Sequence, residues 1–143
     1  MKMFRYISGA NEGNVEIEMT IPVSTKWRGD VREMCFYLDE AHQANPPTPT
    51  DPAVYIVTRP AMNVYTRYGS GSITESVFKY TQLIYRRVGG YMSQSEWQDE
   101  ATSLEALIRS NGLDVDTEEF YVNGYNSPMQ FWNRRNEVWK VKA

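Results

Sequence analysis

Between Asn45 and Pro52 the chain carries four prolines in eight residues. A proline inside a helix or a central strand deletes a backbone donor and crowds the preceding turn. This stretch therefore has to run as an extended surface connection, with the regular elements on either side of it. Before it, Val15, Ile17 and Met19 alternate with Glu16 and Glu18, the period of two that marks a half-buried strand, and Pro22 limits its length. Residues 31–38 read as a second strand with Met34, Phe36 and Leu38 on one face. Residues 26–30, containing Gly29, are the turn that would make the two an antiparallel pair. After the prolines, residues 54–57 and 62–66 resume as strands. The strongest helix starts at Ser93, whose hydroxyl can cap the amide of Glu96 while Glu96 reaches back. Trp97, Ala101, Leu104 and Ile108 then form one stripe, with Glu100 and Glu105 outside it, and Asn111-Gly112 closes the helix. Residues 120–125 and 137–141 are further strands. This order predicts an α+β fold, a mostly antiparallel sheet with the helix packed on one face.

The 143 residues make a single domain, residues 1–143, long enough to bury about two-thirds of the surface that the unfolded chain exposes. Apolar residues at 41% and aromatics at 13% exceed what a disordered chain carries. No apolar run approaches the roughly 20 residues needed to cross a bilayer. Residues 1–10 mix Lys2, Arg5 and Tyr6 into a short apolar stretch unlike a secretory leader, so a soluble, cytoplasmic protein is expected. A lone Cys35 and a lone His42 exclude a disulfide framework and the common Cys/His zinc sites. A net charge of −3 argues against nucleic acid as a partner.

Charge is unevenly spread. Residues 93–120 hold eight acids against Arg109, whereas residues 121–143 hold four bases against Glu137. The second segment combines those bases with Tyr121, Tyr125, Phe131, Trp132 and Trp139. Two readings stand side by side. Tyr125, Pro128, Met129, Phe131 and Trp132 can line a pocket for an apolar ligand, with Arg134 or Arg135 pairing a carboxylate at its mouth. Alternatively, Tyr125 and Trp139 are core and the arginines are solvated. Elsewhere the chemistry is sparse. His42 reads as a solvated loop histidine and Cys35 as a small buried hydrophobe. Gly69-Ser70-Gly71-Ser72 lacks the Gly-Lys-Ser/Thr that would make it a phosphate loop. Asp99-Glu100 and Glu118-Glu119 read as solvated charges. No nucleophile, base and oxyanion site come together, so the expectation is a binder and not an enzyme.

Five motifs carry a resemblance. They are residues 4–11 (Phe-Arg-Tyr-Ile-Ser-Gly-Ala-Asn) with residues 17–23 (Ile-Glu-Met-Thr-Ile-Pro-Val), Asn45-Pro46-Pro47 with Pro49, and Met62-Asn63-Val64-Tyr65. Gly89-Gly90-Tyr91 follows, and then Gly124-Tyr125-Asn126-Ser127-Pro128-Met129 with Arg135-Asn136-Glu137-Val138-Trp139. Together they resemble the SOUL/haem-binding protein family. The resemblance implies an α+β fold of two βαββ-type halves, forming a twisted antiparallel sheet or distorted barrel with flanking helices. It also implies an intracellular, non-enzymatic binder of haem or related tetrapyrroles. The implied tetrapyrrole surface lies between the end of the first helix, here Met3, Phe4 and Ile7, and the loop holding Tyr125, Pro128, Met129, Phe131, Trp132, Arg134 and Arg135.

The chain departs from the family pattern in three ways. It starts at the end of the first helix, so the first half is incomplete. The histidine proposed as an axial ligand in one branch lies in that missing part, and His42 inherits nothing from it, so haem is expected to be held without a histidine ligand. Residues 68–86 are an extra segment, readable as a helical stripe over Val77, Tyr80, Ile84 and Val88 or as a strand projecting in a hairpin. Apolar surface left by the incomplete half would favour a homo-oligomer. The second functional reading is a protein-interaction module, since some relatives are linked to cell-death regulation through a short helix that matches residues 93–110. A hydrolase, as in distant relatives of the fold, lacks a nominated acid or nucleophile.

Overall fold

The computed structural model describes residues 2–68, 72–78, 93–127, 129 and 135–143, with backbone alone for 67, 68 and 72–78. Contacts divide them into two compact units, one of Met1–Ile21 with Phe36–Pro60, the other of Pro22–Cys35 with Ala61–Ala143.

The first unit holds helices α1 (Lys2–Ile7) and α2 (Glu40–Gln43). Its core is Tyr6, Ile7 and Ile17, flanked by Val15, Phe36, Leu38 and Val54. The side chain of Asn11, 3% exposed, governs the path of the chain here. Its Nδ2 donates to the carbonyls of Tyr6 and Val15, both at 2.8 Å, and its Oδ1 accepts from the Val15 amide at 2.9 Å. The Ile17 amide donates to the Ile7 carbonyl. Val15 thus bonds to the Asn11 side chain and Ile17 to the end of α1, and residues 15–19 do not form the strand that their alternation predicts. Glu16 makes only an isolated bridge to Ser8. Gly9 at φ 101° makes the reversal, with a conformation that a side chain would strain.

The proline stretch runs extended, as expected, and is docked by polar bonds. The Tyr6 hydroxyl donates to the Pro47 carbonyl at 2.8 Å, the Glu12 amide to Thr48 O, and the Thr50 hydroxyl to Ala10 O. Residues 54–57 take no place in the sheet, against expectation. The Val54 amide closes a turn onto Asp51 O, and Tyr55, Ile56 and Val57 are exposed. His42 is not a free loop residue either. It sits in α2, capped by Asp39, and its ring lies against the same carboxylate, which its hydrogen bond holds below the ordinary carboxylate range.

The second unit is a six-stranded sheet of β1 (Val23–Arg28), β2 (Val31–Phe36), β3 (Met62–Tyr68), β4 (Ser72–Phe78), β5 (Val115–Gly124) and β6 (Asn136–Lys142). Their order is β2-β1-β5-β6-β3-β4. The pairs β1/β5, β5/β6, β6/β3 and β3/β4 are antiparallel, so the fold is α+β. Of the two forms implied by the resemblance, the described strands make the open sheet and not the closed barrel. The predicted first hairpin is shifted past Pro22: the strand before the Gly29 turn is Val23–Arg28, where Ser24 and Trp27 are buried. Within the extra segment, Ser72–Phe78 is a strand paired with β3 from Met62↔Phe78 to Tyr68↔Ser72, and of the residues for which helix and strand were both readable it includes Val77 and Phe78. The remainder of the helical stripe lies outside the described residues.

Helix α3 (Gln94–Ser110) forms as its sequence requires. The Ser93 amide donates to Glu96 Oε2 at 2.6 Å and the Glu96 amide to Ser93 Oγ at 3.3 Å, and Gly112 at φ 72° follows its end. Its stripe of Ala101, Leu104 and Ile108 packs with Tyr65, Val115 and Val138, with Trp97 and Phe120 at the margin. Burying Leu104 and Ile108 contributes about 1.5–3 kcal/mol each. Glu105 is not merely solvated, because it pairs with the buried Lys140 of β6 at 3.1 Å.

Candidate functional site

Antiparallel pairing puts directly opposed side chains on the same face. In the second unit the registers Ser24↔Asn123 and Asn123↔Glu137 align three polar residues across β1, β5 and β6, and Tyr121↔Trp139 lies one step along. Alternation puts this row on the face opposite Val138, the residue packed with α3. It shares its face with Tyr121 and Trp139, which form a core cluster with Val64.

Glu137 is the centre of the row and is 0% exposed. Its Oε2 accepts from the Tyr125 hydroxyl at 2.9 Å and from Trp139 Nε1 at 2.8 Å, and its Oε1 accepts from Arg135 at 3.2 Å. The Arg135 guanidinium stacks on the Tyr125 ring, 4.2 Å from its centroid, a cation–π contact strengthened by partial desolvation. The backbone closes the same neck: the Tyr125 amide donates to Arg135 O at 3.1 Å, and the Arg135 amide donates to Asn126 Oδ1. One buried carboxylate thus ties together the two ends of the loop between β5 and β6. Burial pushes the Glu137 carboxyl up from its ordinary value, against the opposing effect of the three donors. Burial pulls the Arg135 guanidinium down, countered by Glu137. A buried acid without such donors would be protonated or expelled.

Of the residues nominated on this loop, the structure brings together Tyr125, buried, and Arg135, half-buried, and leaves Met129 79% exposed. Pro128, Phe131, Trp132 and Arg134 lie outside the described residues. On α1, in the first unit, Ile7 is buried with Tyr6 and Ile17, Met3 is half-buried and Phe4 is 52% exposed. The same unit has an open cavity of about 390 Å³, lined by Lys2, Arg5, Tyr6, Pro49, Asp51 and Val54 among others. Lys2 pairs with Asp51 at 3.2 Å, and the Ala53 amide, helped by the charge of Arg5 one turn on from Lys2, holds the Asp51 carboxyl below its ordinary value.

Sequence reasoning missed Glu137, Arg5 and Lys2 as site residues. For Glu137 a signal was present: an acid two residues before Trp139 in a strand holds a core position, and a core acid demands donors. For Arg5 and Lys2 the spacing along a helix was visible, but the opposing proline wall was not.

Comparison with known proteins agrees with the motifs. The sequence profile described as SOUL heme-binding protein matches residues 1–84 and 78–141. Heme-binding protein 2 of Homo sapiens is 29% identical over 99% of this chain, and heme-binding protein 1 of Mus musculus is 30% identical over the same share. The chain spans 63% of the human protein and 68% of the mouse protein. The motifs, the profile and these relatives lead to one assignment: this chain belongs to the SOUL heme-binding protein family.

Proposed function

We propose that this protein binds haem or a related tetrapyrrole without turning it over, using apolar and aromatic side chains for the ring and arginines for its carboxylates. The observation that carries the reading is the Tyr125–Arg135–Glu137 clamp, an aromatic and cationic neck under the loop whose Met129 is open to solvent. The relatives' names, heme-binding proteins 1 and 2, support the ligand class. The residues assigned to the ligand in this reading are Met3, Phe4, Ile7, Tyr125, Pro128, Met129, Phe131 and Trp132, with Arg134 and Arg135 at the rim; Ile7 and Tyr125 are buried and serve it as backing. Tested against the side chains present, the ligand class fits. In the first unit Phe4 offers exposed apolar surface and Arg5 a cation, and in the second Met129 offers exposed apolar surface, each suited by its chemistry to a flat ring or its propionates. His42 is engaged by Asp39, and we assign it no bond to iron, so packing and ion pairing hold the ligand.

Titration with hemin tests this directly. A Soret shift at micromolar hemin is expected, weakened at least tenfold by Trp132→Ala combined with Arg134→Ala. No shift, or one indifferent to that double substitution, overturns the reading. The alternative of a protein-interaction module through α3 is less well supported, since Leu104 and Ile108, its apolar anchors, are 1% and 0% exposed and packed against the sheet.

A further inference from the structure

The polar row beside the clamp is incomplete. Ser24 and Asn123 are both 0% exposed, and the Ser24 hydroxyl and both polar atoms of the Asn123 amide have no hydrogen-bond partner among the described residues. They are direct register partners on β1 and β5, and Asn123 is in turn the register partner of Glu137 on β6. Opposed Cβ atoms stand about 4.5–5.5 Å apart, so Asn123 lies between Ser24 and Glu137 in one buried row, next to both. Glu137 brings spare capacity to it. A carboxylate has about four lone-pair sites, and its hydrogen bonds are from Tyr125, Trp139 and Arg135, two on Oε2 and one on Oε1.

We propose that Ser24, Asn123 and Glu137 form an internal hydration site that holds one ordered water. The water accepts from Asn123 Nδ2 and donates to Ser24 Oγ and to Glu137 Oε1. About three bonds are what a buried water ordinarily makes, and polar groups left over after folding are what it ordinarily satisfies. Apolar ligands and anions are unsuited to the spot, the first because its walls are polar, the second because Glu137 lies beside it. A molecule that both donates and accepts in a fully enclosed place is water. The site links β1 to the carboxylate that ties the β5–β6 loop, so it belongs to the structural support of that loop and not to its ligand-facing side.

A crystal structure of the full chain at a resolution that shows ordered solvent tests the site. Density within hydrogen-bond distance of Ser24 and the Asn123 amide is expected, and a dry site with the hydroxyl and amide bonded to each other overturns the proposal. Urea denaturation of Ser24→Ala gives an independent readout, because the substitution is small enough to fold. If the water is there, the midpoint falls, since the water loses a partner. If the hydroxyl is a dry orphan, its removal raises the midpoint, and the proposal fails. Water oxygen-17 relaxation dispersion should show about one long-lived internal water fewer in Asn123→Leu than in the wild type. An unchanged count in a folded variant refutes the site.

Discussion

Replacing Glu137 with leucine should be among the most damaging single changes in the β5–β6 hairpin. The carboxylate is 0% exposed and serves three donors, so the loss has two parts. Removing one partner of a buried ion pair costs about 3–5 kcal/mol. Arg135 keeps 23% of its side chain in solvent, which discounts that figure toward about 2–3 kcal/mol. Leaving the Tyr125 hydroxyl and the Trp139 indole short of an acceptor adds about 1–3 kcal/mol. A total near 4 kcal/mol moves a urea midpoint by about 2 M at a slope of about 2 kcal/mol/M. Glu137→Gln retains one acceptor oxygen and should lose about half as much. Arg135→Leu added to Glu137→Leu should recover part of the loss, because the uncompensated guanidinium goes with it. A Glu137→Leu midpoint within about 0.5 M of wild type would refute the clamp, as would a double variant whose losses simply add.

Further outcomes follow from the same geometry. Because burial raises the Glu137 carboxyl, the native state holds that proton more tightly than the unfolded one. Stability from this group is present at low pH and is lost as pH rises through the raised value. Wild type should therefore gain on Glu137→Gln as pH is lowered from about 7 toward 5, and parallel stability curves would contradict this. Leu104→Ala, at a residue 1% exposed under α3, should cost about 2–5 kcal/mol by chemical denaturation, and less than 1 kcal/mol would mean that the helix is not seated there. Ser93→Ala should cost about 1 kcal/mol through loss of the capping hydroxyl, with protection from hydrogen exchange falling first at the Glu96 amide. Asn11→Ala removes three short bonds and should cost about 2–4 kcal/mol, with the Val15 amide exchanging rapidly. Unchanged exchange at Val15 would show that Asn11 does not hold that segment.

Local rules carried much of the fold. The capping box at Ser93, the stripe through Leu104 and Ile108 and the Asn111-Gly112 stop are all satisfied within one turn or one helix face, so they could be read without a partner. Strand positions were less secure for a definite reason. Alternation reports which side of an extended backbone is apolar, but not whether another strand takes its hydrogen bonds. Residues 15–19 alternate and bury Ile17, yet the acceptor of the Ile17 amide is the end of α1, a helix whose place is unknowable from the segment itself. Residues 54–57 are apolar and mostly β-branched, yet Asp51 turns the chain before them. Conversely, Val23–Arg28 has Ser24, Lys26 and Arg28 among its six residues and so concealed a strand.

The same limit explains what was legible in the site. Tyr125 and Arg135 could be nominated because an aromatic and a cation near a Pro-containing loop suggest a ligand by composition. Their relation to each other could not be read. It depends on Gly124↔Asn136 being the last ladder pair, which places Tyr125 and Arg135 opposite each other just beyond the sheet, with Glu137 beneath them. That position changes what the arginine contributes. A guanidinium stacked on Tyr125 and bonded to Glu137 has spent part of its charge inside the protein, and its field at a ligand carboxylate is correspondingly weaker than that of an arginine free in solvent. Its larger contribution is to hold the neck of the loop in one geometry. Ordering costs that a ligand would otherwise have to meet on binding are then met during folding. If the proposed binding role holds, the buried acid supports recognition by fixing the position of the cation that the sequence displays.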